Sequence, residues 1–464
     1  MESDFTTKEI ISKEILLKAY TQMMLAKSMA DIYEENRNIC KYVHSTSRGH
    51  EAIQLATAYQ LSKEDWVSPY YRDESMLLGM GFSPYQLMLQ LLAKAEDPFS
   101  GGRSYYSHPS SKDENLPKII HQSSATGMQA IPTTGLAQGI RYIEDFKLQN
   151  FEKNPVVICS LGDNSVTEGE VAEAFQFAAL HQLPIIFLVQ DNEWGISVTK
   201  EEARTSDAYD YAAGFVGLNR MRIDGTDFVE SFIQMQKAVH FVREERKPLL
   251  VCAKTVLIGH HTSGVRREFY RDEADLAKHR AKDPGIILKK YLLEEGFSEE
   301  TLSQIEIEAR KQIEEDFNKA ILAPDPKPET VKEHVYAPTP ITEEKGTRIP
   351  ENGEKIPMVD AGIHAIQELM HKHPEALLYG QDVGGRIGGV FREAVTLQQK
   401  FGNKRVFNTA IQEAYIIGST VGMSAVGLKP IVEVQFADYI YPGINQLVTE
   451  VSKSCYLSNG KYPV

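Results

Sequence analysis

The sequence predicts an α/β protein built from two parallel-sheet units flanked by helices and joined by a linker, and three observations carry that prediction. First, two continuous apolar runs, Val156 to Leu161 and Pro184 to Val189, bracket Glu168 to His181, where Val171, Ala174, Phe175, Ala178 and Ala179 recur at helical spacing. Such a strand, helix, strand unit with uninterrupted apolar strands is characteristic of a parallel sheet covered on both faces. Second, Ala323 to Lys355 is rich in Pro, Glu, Lys and Thr and poor in large apolar residues, the composition of an extended, solvated tether. Third, strand and helix patterns resume after it.

The elements follow in order. Lys13 to Tyr33 reads as an amphipathic helix, Pro248 to Cys252 as the strand that closes the first sheet, and Glu299 to Phe317 as a long charged helix. Beyond the tether, Asp360 to His371 is helical, Ala376 to Tyr379 is a strand, Ile416 to Val426 is a Gly-rich apolar helix, and Pro430 to Tyr439 opens with another strand. The expected division is 1–322, a linker over 323–355, and a second unit over 356–464.

Composition narrows the function classes. At 464 residues with 42% hydrophobic content the chain has ample core-forming material. A formal charge of −14 disfavours nonspecific nucleic-acid binding. No apolar run approaches a membrane span, and Met1 to Ile11 lacks the layout of a signal peptide, so a soluble, cytoplasmic protein is expected. Cys40, Cys159, Cys252 and Cys455 are too scattered for a zinc ribbon, a redox dithiol or a disulfide framework.

The chemistry concentrates where the two bracketing strands end. Gly162-Asp163-Asn164 follows the first, and Asp191-Asn192-Glu193-Trp194-Gly195 follows the second. A right-handed crossover leaves both carboxyl ends on one edge, so Asp163 and Asn192 converge. A carboxylate and an amide oxygen make a hard, oxygen-only site suited to Mg²⁺, and the helix starting near Thr167 turns its amino end to the same crevice, where free N–H groups favour an anion. A diphosphate–Mg²⁺ site fits this description; so does an ordinary βαβ unit with a loop Asp and Asn.

The segment resembles the thiamine-diphosphate motif of the decarboxylating component of 2-oxoacid dehydrogenase complexes, whose pattern is GDG, a helix, then NN. The resemblance implies a thiamine-diphosphate-binding fold in which Asp163, Asn192 and the Trp194 carbonyl bind the metal, with Gly162, Asn164 and Ser165 beside the diphosphate. Asn164 and Asp191 depart from the motif without removing a ligand. Tyr71-Arg72 resembles the family's Tyr-Arg pair, whose Arg clamps diphosphate. His108, after Gly101-Gly102-Arg103, and His261, in Gly259 to Gly264, resemble its active-centre histidines, and Gln122 to Pro132 the segment that packs under the cofactor. Leu257 stands where the family usually carries a diphosphate-contacting Arg; Arg266, Arg267 and Arg271 are nearby substitutes.

In the second unit, Val406 to Ala414 and Gln435-Phe436-Ala437-Asp438-Tyr439 resemble the family's beta-type, pyrimidine-binding subunit. That assigns Glu413 as the cofactor-activating acid, sharing a proton with the aminopyrimidine ring, and puts Gln435 and Tyr439 near cofactor and substrate. A lone acid before a helix is otherwise an ordinary dipole partner.

Taken over nearly the whole chain, the resemblance implies fused alpha-type and beta-type parts that decarboxylate a 2-oxo acid and pass the acyl group to a lipoylated dihydrolipoyl acyltransferase, with Glu413, His261 and His108 as catalytic groups. Branched-chain substrates, chiefly 3-methyl-2-oxobutanoate, are the expectation. Pyruvate dehydrogenase, a transketolase-like or sulphopyruvate-decarboxylase-like enzyme without a lipoyl partner, and a non-catalytic scaffold are the alternatives. A homodimer is expected for a full-length chain. The beta-type part reads as truncated in a strand beginning near Lys461, which predicts an unpaired sheet edge and an uncovered apolar helix.

Overall fold

The computed structural model describes residues 11–338, 343, 345–349 and 351–464; the first ten residues and part of the expected linker lie outside the described residues. In the first unit, six strands form one wholly parallel sheet in the order β2-β1-β3-β4-β6-β5. They are β1 (Trp66–Ser68), β2 (Lys118–Ile119), β3 (Val157–Gly162), β4 (Ile185–Asp191), β5 (Asn219–Asp224) and β6 (Leu249–Lys254). All of β4 is buried, because helices cover both faces of a parallel sheet. β6 is last in sequence, yet β5 is the edge strand: its charged Arg220 and Arg222 suit a solvated border.

The helix between β3 and β4 runs Gly169–His181, after a separate 3-10 turn at Ser165–Thr167. Its amino end therefore begins two residues later than Thr167. The first helix spans Lys13–Glu35 and the charged one Glu299–Leu322. The chain leaving the latter is docked: the Ala95 N–H donates to Pro324 O at 2.9 Å and Arg103 Nη2 donates to Thr330 O at 2.9 Å. The start of the expected solvated linker is thus part of the first unit's surface.

The second unit has a parallel three-stranded sheet, β8-β7-β9, from β7 (Ala376–Gly380), β8 (Val406–Asn408) and β9 (Lys429–Glu433). Its apolar helix, Glu413–Ala425, begins at Glu413 and is not uncovered. It lies across the Ala130–Phe146 helix of the first unit, which packs against β3 on its other side. Gly135 meets the backbone of Ser419 and Gly422 that of Pro132 and Leu136, so there the two backbones approach without intervening side chains, while Gly139 faces Met423 and Val426 and Gly418 faces Ile131 and Gln446. Residues 461–464 form no strand; the buried Tyr462 ring packs near Trp66, and its hydroxyl donates to Ser111 O at 2.6 Å. Among the described residues, no helix is long and apolar enough to cross a membrane.

Candidate active site

The register of β3 and β4 pairs Gly162 with Gln190, so the residues just beyond each strand emerge side by side. Asp163 and Asn192 both line a cavity of about 780 Å³ at this sheet edge. Every alpha-type candidate except Arg72 lines it: Tyr71, His108, Gly162, Asn164, Ser165, Trp194 and His261 join them. His44, Ser45, Tyr105 and Tyr106 are also in the wall, and sequence reasoning did not single them out.

Local hydrogen bonds set the orientation of each group. The Trp194 N–H donates to Asn192 Oδ1 at 3.0 Å, closing a tight turn in which Glu193 takes a positive φ of 69°. Asn192 Nδ2 lies 3.1 Å from His50 Nε2, and His50 Nδ1 lies 2.9 Å from Gln190 Oε1. One tautomer satisfies both contacts: Nδ1–H donates to Gln190 and Nε2 accepts from Asn192. Burial and the Arg72 charge push His50 down to about 3, so it stays neutral.

Asp163 is only 3% exposed. Arg204 Nη2 lies 2.9 Å from its Oδ2 and 2.5 Å from Asp191 Oδ1, and Lys254 Nζ adds a second cation 2.5 Å from Asp191 Oδ2. Burial pushes the Asp163 carboxyl upward, Arg204 opposes, and the neighbouring Asp191 carboxylate adds to the rise. Asp163 Oδ2 is held by the Arg204 ion pair, and the buried Asn164 Oδ1 has no partner. These are hard oxygen atoms of the kind a small divalent cation takes. No group of three or more His, Cys, Asp or Glu positioned for a metal occurs among the described residues, so a cation here would draw on amide and backbone oxygens as well.

Arg72 is fully buried behind the wall. Its Nη1 donates to Thr46 O at 3.2 Å and Nη2 to His261 O at 3.0 Å, while Nε has no partner. In this structure it braces the loop that carries His261. His261 Nε2 is 3.1 Å from the Tyr71 hydroxyl, and burial, with Arg72, His50 and Arg271 behind it, pushes the ring down to about 3. His108 is also lowered by burial, and its Nδ1 sits 2.8 Å from Tyr106 O, which leaves Nε2 as an acceptor. Burial disfavours the imidazolium form of both rings. Leu257 is buried, and none of the three nearby arginines lines the main cavity: Arg266 pairs with Glu34, Arg267 donates to Ile258 O, and Arg271 donates to the carbonyl of Leu257 itself.

The beta-type residues sit elsewhere. Glu413, Gln435 and Tyr439 line a second cavity of about 680 Å³ that shares no lining residue with the first. Glu413 is the first residue of its helix and accepts from Gln381 Nε2 at 2.9 Å; Gln435 Nε2 donates to Asp382 Oδ2 at 2.8 Å. Tyr439 lies in a 3-10 turn with its ring against Phe436. Within one chain, then, the acid of the second unit does not reach the Asp163 cavity.

Residues 19–329 match the family described as dehydrogenase E1 component, and residues 354–464 match the transketolase pyrimidine-binding domain. The chain is 28% identical over 322 residues to the 2-oxoisovalerate dehydrogenase subunit alpha of Bacillus subtilis, covering 68% of this chain and 94% of that protein. It is 29% identical over 316 residues to the mitochondrial 2-oxoisovalerate dehydrogenase subunit alpha 1 of Arabidopsis thaliana, with 67% of this chain and 64% of that protein covered. Against the chloroplastic pyruvate dehydrogenase E1 component subunit alpha-3 of the same plant, identity is 30% over 341 residues, with 72% and 78% covered.

Proposed function

This chain belongs to the dehydrogenase E1 component family, and from that premise we propose that it decarboxylates a 2-oxo acid with thiamine diphosphate and Mg²⁺ and passes the acyl group to the lipoyl group of a dihydrolipoyl acyltransferase. The observation that carries the reading is the convergence of Asp163 and Asn192 on one cavity, beside the buried Asn164 Oδ1 that has no hydrogen-bond partner. Asp163, Asn192 and the Trp194 carbonyl would hold the metal, and Ser165 with the amino end of the Gly169–His181 helix would face the diphosphate. Bound there, the cofactor supplies the electron sink that decarboxylation needs. His108 and His261 hold and move protons in the same cavity, and Tyr71 orients His261. Glu413, flanked by Gln435 and Tyr439, would face the pyrimidine ring from the second cavity.

Since Glu413 and Asp163 line different cavities, the reading places a working centre between the first unit of one copy and the second unit of another. Exposed apolar side chains near both mouths support such a face: Val43 and Ile196 at one, Ile411 and Tyr439 at the other.

Branched-chain 2-oxo acids, chiefly 3-methyl-2-oxobutanoate, are the proposed substrates, supported by the names of two of the relatives. Pyruvate is the second reading, supported by the third. A methyl or two in an apolar pocket is worth only about 1–3 kcal/mol, so the choice is a matter of rates. The test is calorimetric binding of thiamine diphosphate with Mg²⁺ to wild type and Asp163→Ala, followed by lipoamide-linked turnover on both substrates. Loss of metal-dependent binding in the variant and higher kcat/KM on 3-methyl-2-oxobutanoate are expected. Unchanged affinity in Asp163→Ala would overturn the metal assignment, and a preference for pyruvate would overturn the substrate.

A further inference from the structure

Arg204 is the unusual member of the metal-side cluster. It lies just after the four-residue Lys200–Ala203 helix, its side chain is 8% exposed, and Nη2 reaches both Asp163 and Asp191. The Nη1 on the same guanidinium is buried without a partner. Asp191 does not depend on it, because Lys254 holds the other carboxylate oxygen. Behind the ion pair is a separate cavity of about 270 Å³, lined among others by Asp163, Thr167, Arg204, Ser206, Asp207 and Tyr211. Arg204 therefore has an unsatisfied donor where it now sits and, beside it, a cavity with the Ser206 hydroxyl and the Asp207 carboxylate in its lining, the latter paired with Arg222.

We propose that Arg204 is an internal occupant of the cation position, neutralising Asp163 until a divalent cation arrives and then stepping into the adjacent 270 Å³ cavity toward Ser206 and Asp207. The inference rests on the reading of Asp163 as a metal ligand. Two positive groups at contact distance from one buried carboxylate oxygen repel each other, so a cation bound through Oδ2 and the Arg204–Asp163 pair compete. Asp191, which stands where the motif has an amide, supplies the second carboxylate that keeps Arg204 in place. The consequence is a conditional site: apparent metal affinity equals the intrinsic affinity scaled by the fraction of molecules with Arg204 withdrawn.

The test uses the full chain with saturating thiamine diphosphate, titrated with Mg²⁺ by calorimetry, and amide hydrogen exchange over residues 200–204 on the same samples. If Arg204 occupies its pair in about nine molecules of ten, Arg204→Met is expected to bind Mg²⁺ about tenfold more tightly than wild type. Asp191→Asn, which removes one of the two anchors, shifts affinity the same way and serves if Arg204→Met does not fold. In wild type, Mg²⁺ is expected to speed exchange over 200–204, and in Arg204→Met to leave it unchanged. Mg²⁺ binding that requires Asp163 but is no tighter in either variant, or exchange over 200–204 in wild type that Mg²⁺ does not speed, overturns the proposal while the metal reading stands. Binding that survives Asp163→Ala overturns the metal reading and this proposal together.

Discussion

Substituting Gly135 by Ala tests the crossing that joins the two units. A Cβ at Gly135 would lie 2.6 Å from Ser419 Cα and 2.8 Å from Ser419 C, both backbone atoms of the facing helix. Carbon contacts are comfortable at roughly 3.5–4.0 Å, so the helices must part by about 1 Å. Overpacking costs about 1–3 kcal/mol, and with main chain on both sides no rotamer change relieves it, so the upper figure applies. Ala gains back about 1 kcal/mol of helix propensity over Gly, leaving a net loss of about 2 kcal/mol. Gly362 is the control: it lies in the Met358–Lys372 helix with nothing within 4 Å of an added Cβ. There the propensity gain stands alone, and Gly362→Ala should stabilise its unit by about 0.5–1 kcal/mol. Urea unfolding followed by circular dichroism, with hydrogen exchange on the Glu413–Ala425 helix, reads both. Gly135→Ala should lower the midpoint and deprotect that helix. A midpoint at or above wild type would show that the backbones do not meet as described.

Glu413→Gln should keep the fold but slow proton exchange at the thiazolium carbon of bound cofactor by about 10²–10⁴-fold, since an amide cannot share the required proton; NMR-monitored exchange at the wild-type rate would remove Glu413 from that role. The fully buried Glu450 accepts from the Ser123 N–H at 3.2 Å, and burial pushes its carboxyl up from 4.5 to about 7. The folded chain thus keeps a proton that the unfolded chain releases, so stability falls as pH rises from about 4.5 to 7 and stays lost above. Glu450→Gln should recover up to about 3 kcal/mol relative to wild type between pH 5 and pH 8, and parallel pH–stability curves would contradict this.

The strand, helix, strand unit around Asp163 was legible because parallel strands buried on both faces leave uninterrupted apolar runs. Asp163 with Asn192 followed from it, since a crossover of one hand puts both strand ends on one edge. β5 was not legible: an edge strand with charged Arg220 and Arg222 carries no such run. Nor was the cover over the Glu413 helix, which depends on Gly135 and Gly139 meeting Ser419 and Met423 across nearly 300 residues of chain. Arg204 escaped for the same reason: a lone Arg on a loop has no pattern, and only the fold brings it between two aspartates. Arg72 was singled out by its motif, but its donation to the carbonyls of Thr46 and His261 is a matter of side-chain direction that residue spacing does not encode.

The crossing of the 130–146 and 413–425 helices has a consequence for assembly. When alpha-type and beta-type parts are separate molecules, the second must find the first by diffusion, and its apolar helix is open to other encounters until it does. Here one translation event produces both in equal stoichiometry, and covalent continuity holds them at an effective concentration on the order of millimolar. The glycine-lined contact then forms as an intramolecular folding step, independent of expression level.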